Sequence, residues 1–197
     1  SENSDVSKVY KVISSELPPT RIKPYENERQ PTRPSLVLIG GDGTGYDYSE
    51  KDWYRLAFEF KNISSTFINS RRTPKFAWQN LKENSGPEHK HLDTENTDLQ
   101  LLTKNLDEHS HIFVTADSTT RISEIISRGY FINVIEMKGP IQYEMHHDFM
   151  QSLQEKGLLK IMRLDELHLS ENKYHGNVKK FVVTERDALK SKLTKLL

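Results

Sequence analysis

Ile112-Phe113-Val114-Thr115-Ala116-Asp117-Ser118-Thr119-Thr120-Arg121-Ile122-Ser123-Glu124-Ile125-Ile126-Ser127-Arg128-Gly129 is the stretch that decides the fold of this chain. It opens on an apolar, β-branched run suited to a buried strand. Asp117 and Ser118 then offer two side chains able to cap a helix N-terminus. In the helix that follows, Ile122, Ile125 and Ile126 recur at i, i+3, i+4 and predict one buried face. Thr120, Ser123, Glu124 and Ser127 are expected on a polar face, and Gly129 is placed to end the helix in the left-handed conformation. A strand feeding a helix through a small polar turn leaves unpaired backbone N–H groups at the carboxyl edge of a sheet. Together with the helix dipole, they suit a phosphate or diphosphate. Glu124, about one and a half turns deeper, is a candidate to accept both hydroxyls of a ribose. Without a ligand, the same stretch reads as a capped strand-turn-helix with a solvated Glu124.

The flanking segments repeat the alternation. Ser35-Leu36-Val37-Leu38-Ile39 is a near-continuous apolar run of the kind found in central parallel strands. It empties into Gly40-Gly41-Asp42-Gly43-Thr44-Gly45. Ser49, with Asp52 three residues on, predicts a capped helix whose Trp53, Leu56, Ala57 and Phe60 share one face. Residues 65–69 read as a second strand. Thr73 is expected as N-cap and Pro74 as the first residue of a helix ending near Asn84. Residues 86–98 read as loop with one edge strand, and Leu99, Leu102 and Leu106 predict a short helix before Ile112. After Gly129 come a buried strand over residues 130–135 and a turn at Lys138-Gly139-Pro140. A helix from about Gln142, closed by Gly157, and a short strand over residues 158–162 follow. Thr184 is expected to cap a last helix with Leu189, Leu193 and Leu196 on one face. Residues 1–34, rich in proline, read as a polar linker or arm with one short strand at residues 9–13. Residues 35–197 then form one α/β domain, a three-layer Rossmann-like fold with a parallel sheet.

Composition narrows the function classes. The 197 residues suffice for one domain with a sizeable core, and 28 basic residues balance 28 acidic ones. Such a chain has no global field to draw in nucleic acid. It lacks cysteine, which excludes disulfides, a thiolate nucleophile and a zinc-thiolate site. No apolar run approaches the roughly 20 residues of a membrane span, leaving peripheral contact as the membrane relation still open. A cytoplasmic protein is expected. The start at Ser1, without methionine, suggests a processed protein or a fragment.

Several motifs carry candidate chemistry. Ser70-Arg71-Arg72-Thr73-Pro74 sets two guanidinium groups beside a helix N-terminus, where they can hold a diphosphate in fork geometry. Alternatively, one arginine pairs with Asp42 or Asp47 and the other is solvated. The glycine loop resembles the Gly-Gly-Asp-Gly-Thr motif of lipid and NAD kinases, a weaker alternative. It is neither a Walker loop nor a Gly-x-Gly-x-x-Gly fingerprint, and Tyr46-Asp47-Tyr48 intervenes before the helix. The pairs His89-x-His91 and His109-x-His111 lack the pattern of a zinc site, so neither metal nor cofactor is expected. No Gly-x-Ser-x-Gly elbow supports a hydrolase.

The glycine turn, Arg71 to Pro74, Val114-Thr115-Ala116-Asp117-Ser118, Ser123-Glu124 and Gly129 together resemble the signature of a family. That family includes the plant mitochondrial-fission (elongated-mitochondria) protein, and its bacterial members are often labelled nucleoside-diphosphate-sugar epimerases. The layout is also similar to the donor-binding half of a GT-B glycosyltransferase such as the peptidoglycan N-acetylglucosaminyltransferase. The resemblance implies binding of a nucleotide-diphosphate sugar. Gly40, Gly41, Gly43, Arg71, Arg72, Thr73, Ser118, Thr119 and Thr120 would surround the diphosphate, and Glu124 would hold the ribose. His146, or its neighbour His147, would donate to a phosphate or sugar. In such enzymes the acceptor site and general base come from an N-terminal domain that is missing here, so the chain alone should bind rather than catalyse. The alternative from another class is a non-enzymatic adaptor that recruits a dynamin-like partner. The glycosyltransferase reading makes a geometric demand: the glycine loop, Arg71 and Ser118 must border one cleft about 10 Å across, with Glu124 on its wall.

Overall fold

The computed structural model describes residues 15–18, 20–25, 32–41, 46–96, 98–137, 144–167 and 175–195. Six strands form one sheet, all neighbours parallel. They are β1 (Arg33–Leu38), β2 (Ser65–Ile68), β3 (Lys90–Leu92), β4 (His109–Thr115), β5 (Ile132–Glu136) and β6 (Leu159–Arg163). The order across the sheet is β3-β2-β1-β4-β5-β6. The chain therefore winds outward from β1 in one direction and from β4 in the other. Because parallel crossovers are right-handed, the helices of the two halves cover opposite faces. This is the doubly wound, Rossmann-like α/β architecture expected from the alternation.

The helices between strands are α1 (Glu50–Phe60), α2 (Lys75–Asn84), α3 (Leu99–Glu108), α4 (Thr119–Arg128) and α5 (Glu144–Glu155). A final helix, α6 (His175–Thr194), packs against α4. α1 starts where expected, at a reciprocal capping box between Ser49 and Asp52. Its Trp53, Leu56, Ala57 and Phe60 are fully buried. Phe60 meets Phe67 of β2 and Phe113 of β4 edge-on, at 5.7 and 5.2 Å between ring centroids. α4 ends on Gly129 at φ 101°, and its three isoleucines are fully buried.

Four expectations need correction. Ser123 and Ser127 are buried rather than on a solvated face of α4. The Ser123 hydroxyl is satisfied by donating to the Thr119 carbonyl, and Ser127 lines a hollow with α6, which packs on α4. Pro74, not Thr73, is the N-cap of α2, because the Thr73 side chain is turned to the end of β1. Thr184 lies inside α6 and donates to the Lys180 carbonyl. What fixes that helix is the burial of Val178 and Val182, while Leu193 stays half exposed. Leu99 is likewise exposed, and only Leu102 and Leu106 anchor α3.

The expected strand at residues 9–13 and the turn at 138–140 lie outside the described residues. Within the proline-rich arm, Leu17 and Ile22 are buried in the core. Tyr25 packs under the Arg128 guanidinium, 5.1 Å from its ring centroid.

Candidate functional site: an arginine-lined cleft at the switch of strand order

Register brings the site together. Leu38 of β1 pairs with Ile68 of β2 and Val114 of β4, so these three strands end level. The loops that follow them emerge at one edge, at the point where the strand order reverses. That crevice is where open α/β sheets hold ligands. Here it is a cleft of about 290 Å³. Gly40, Arg71, Arg72 and Ser118 line it, joined by Asn69, Thr94 and Arg121. The expected convergence of the glycine turn, Arg71 and Ser118 on one cleft is what the structure shows.

Asp117 organises this edge. Its buried carboxylate accepts from the Thr115 hydroxyl at 2.6 Å, the Gly41 N–H at 3.0 Å and the Arg72 guanidinium at 2.7 Å. Burial pushes its carboxyl above the usual carboxylate range, against the pull of those three donors. The two glycines are required by this packing. A Cβ at Gly40 would overlap the Asp117 carboxylate, and one at Gly41 would overlap the Arg72 carbonyl. The Gly40 N–H donates to the Thr115 hydroxyl at 2.7 Å, so the end of β1 and the end of β4 are tied directly. Arg72 pairs with Asp117; of the alternative partners, Asp47 makes no ion pair among the described residues and Asp42 lies outside them. Arg71 is exposed and has no ion-pair partner among the described residues.

The remaining candidates have diverse placements. Thr73 accepts from the Ser70 N–H at 2.9 Å and donates to the Gly40 carbonyl, bracing the β2–α2 loop against β1. Thr119 and Thr120 are the first residues of α4, where N–H groups have no carbonyl partner within the helix. Ser118 is the N-cap of α4. Glu124 does not line the cleft; its carboxylate accepts from Arg121 at 2.9 Å. His146 is buried behind the β4–α4 turn, with Nε2 2.7 Å from the Ala116 carbonyl and its ring edge-on to Tyr46. His147 is exposed on α5, and Gly43 lies outside the described residues.

Sequence reasoning missed the roles of Asp117 and Arg121. Asp117 reads as a cap beside Ser118, and only its burial under Gly40 separates the two. Arg121 falls in the first turn of α4, a position that a strand-turn-helix pattern leaves unassigned. The histidine pairs serve packing. His91 stacks on Phe67 at 5.3 Å, and His109 bridges the Asn105 carbonyl and Thr66. Among the described residues no group of histidines and carboxylates could hold a metal ion, and no helix is long and apolar enough to cross a membrane.

Fold and cleft together define a Rossmann-like domain with a cationic crevice at its switch point. The chain belongs to the mitochondrial fission ELM1 family, whose profile matches residues 11–184. This bears out the resemblance carried by the glycine turn, the Arg-Arg-Thr-Pro segment and the β4–α4 stretch. No curated protein sequence matches it. Among solved structures it is similar to YcaC from Pseudomonas aeruginosa, at 10% identity and TM-score 0.46, covering 87% of this chain and 98% of that one. MurG from Acinetobacter baumannii is similar at 12% identity and TM-score 0.42, over 80% of this chain and 42% of that one. The glycotransferase of kitacinnamycin follows at 11% identity and TM-score 0.45, over 91% and 44%. The chain thus spans less than half the length of the latter two proteins.

Proposed function

We propose that this chain binds a nucleoside-diphosphate sugar, as the donor-binding half of a GT-B-like glycosyltransferase whose acceptor domain lies outside this sequence. The observation that carries the reading is the arginine-lined cleft at the switch point. Arg71, Arg72 and Arg121 line it, with no carboxylate among the described lining residues. Guanidinium forks match phosphate oxygens in pairs. The hollow of about 290 Å³ is open rather than filled by side chains. That favours ligand binding over an adaptor that keeps only the fold and recruits a dynamin-like partner. Catalysis would require the general base and acceptor site of the other domain, so the expected property of this chain alone is binding.

Calorimetric titration with uridine, adenosine and guanosine diphosphates, and with their sugar esters, tests the reading. Saturable binding of at least one diphosphate, weakened by Arg71→Ala, is expected. Absence of binding across the panel at millimolar ligand would overturn it.

A further inference from the structure

We infer that Arg121 is an anion ligand of the cleft and that Glu124 is its positioning residue rather than a reader of ribose hydroxyls. The inference rests on the diphosphate reading of the cleft and deepens it. Two arginines of the cleft share one construction. Arg72 is held by Asp117 at 2.7 Å, and Arg121 by Glu124 at 2.9 Å. Both arginines line the cleft, whereas neither carboxylate does. Each carboxylate therefore acts from behind, fixing a guanidinium that keeps further N–H donors for a ligand.

The Arg121–Glu124 pair is poorly explained as helix stabilisation. Arg121 lies in the first turn of α4, where the dipole disfavours a cation. The acidic residue follows the basic one, the reverse of the order that supports a helix. A single, partly solvated ion pair of this kind contributes little to stability. An anion in the cleft removes the conflict, because it neutralises Arg121 at the positive end of the helix. With one Glu124 oxygen taken by Arg121, the cleft selects for phosphate charge and is indifferent to the ribose diol. The ligand class is a diphosphate ester, with 2′-deoxy and ribo forms accepted alike.

The test measures binding of inorganic pyrophosphate, uridine diphosphate and 2′-deoxyuridine diphosphate to the wild type, Arg121→Met, Glu124→Gln and the double variant. Thermal melts confirm folding of each. The wild type is expected to bind both nucleotides within about twofold of each other, and Arg121→Met to lose tenfold or more for all three ligands. Glu124→Gln should weaken all three equally, and the double variant should be no worse than Arg121→Met, since Glu124 acts only through Arg121. Unchanged pyrophosphate affinity in Arg121→Met overturns the proposal. So does a Glu124→Gln penalty confined to the ribonucleotide, even though the diphosphate reading then stands. Arg121-dependent binding of pyrophosphate with no nucleotide binding upholds Arg121 and overturns the nucleotide reading instead. A wild type that binds none of the three overturns both.

Discussion

Two hollows of similar size lie on this domain and are built from opposite materials. The cleft at the ends of β1, β2 and β4 has a volume of about 290 Å³ and presents three arginines, two serines and Gly40. The other, of about 360 Å³, lies between α6 and the stretch around Leu17 and Pro18. Val182, Leu189 and Leu193 of α6 give it mainly aliphatic walls. Volume alone would rank the second hollow first. The lining chemistry reverses that order: in the second hollow Arg186 and Lys190 share mainly aliphatic walls with Glu185, whereas the cleft's three arginines meet no carboxylate among the described lining residues. The cleft is also held rigidly by hydrogen bonds between strand ends, whereas the groove depends on one helix packing on a short proline-rich segment.

The largest expected effect tests that rigidity. Gly41→Ala drives a Cβ into the Arg72 carbonyl, a backbone atom that cannot turn aside. Overpacking of this kind should cost about 3 kcal/mol of stability, read by denaturant unfolding, and should abolish diphosphate binding. A variant as stable as the wild type would show that the turn is looser than its packing implies.

Leu17→Ala provides the counterpart in the aliphatic groove. Leu17 is buried in the core, and its truncation should cost about 2 kcal/mol of stability while leaving affinity in the cleft unchanged. A fall in affinity at full folding would couple the two hollows and break the contrast drawn between them.

Arg71→Ala should behave in the opposite way. Arg71 is exposed and has no ion-pair partner among the described residues, so melting temperature should be unmoved. Binding of a diphosphate should weaken by about 1.5 kcal/mol, the lower end for a hydrogen bond to a charged group. Equal affinities by calorimetry would leave Arg71 outside the site.

The smallest effect concerns His91 on the edge strand β3, beyond both hollows. Burial against Phe67 and Trp78, with His89 and Lys82 nearby, lowers its pKa from 6.5. The folded state favours the neutral ring. Its contribution is therefore fully present above pH 6.5 and is lost as pH falls through the lower folded value. Unfolding midpoints across this range should show a loss of stability on acidification that His91→Phe reduces. Identical pH profiles for the two proteins would rule His91 out as its source.

Much of the fold is legible in the sequence because its signals are local. The run of residues 35–39, the Ser49–Asp52 box, the isoleucine spacing of α4 and Gly129 each fix an element through neighbours a few residues away. Alternation of strands and helices then dictates a parallel sheet. A parallel sheet sends the loops after β1, β2 and β4 to one edge, so Gly40, Arg71 and Ser118 could be expected together across dozens of residues. The Arg-Arg-Thr-Pro segment and the β4–α4 stretch were likewise enough to indicate the family.

What the sequence could not determine was the direction in which each polar side chain turns. Asp117 and Ser118 are adjacent and chemically similar as caps, yet one is buried under Gly40 and the other lines the cleft. Arg71 and Arg72 are adjacent too, and only Arg72 reaches Asp117, forty-five residues away. Ser123 and Ser127 read as part of a polar face, yet both are buried, and Ser127 lies beside α6, far along the chain. In each case the deciding partner is distant in sequence and close only after folding. Periodicity reports which face of an element is apolar, but the hydrogen-bond partner of a polar group is set by long-range packing, and that the tertiary structure alone decides.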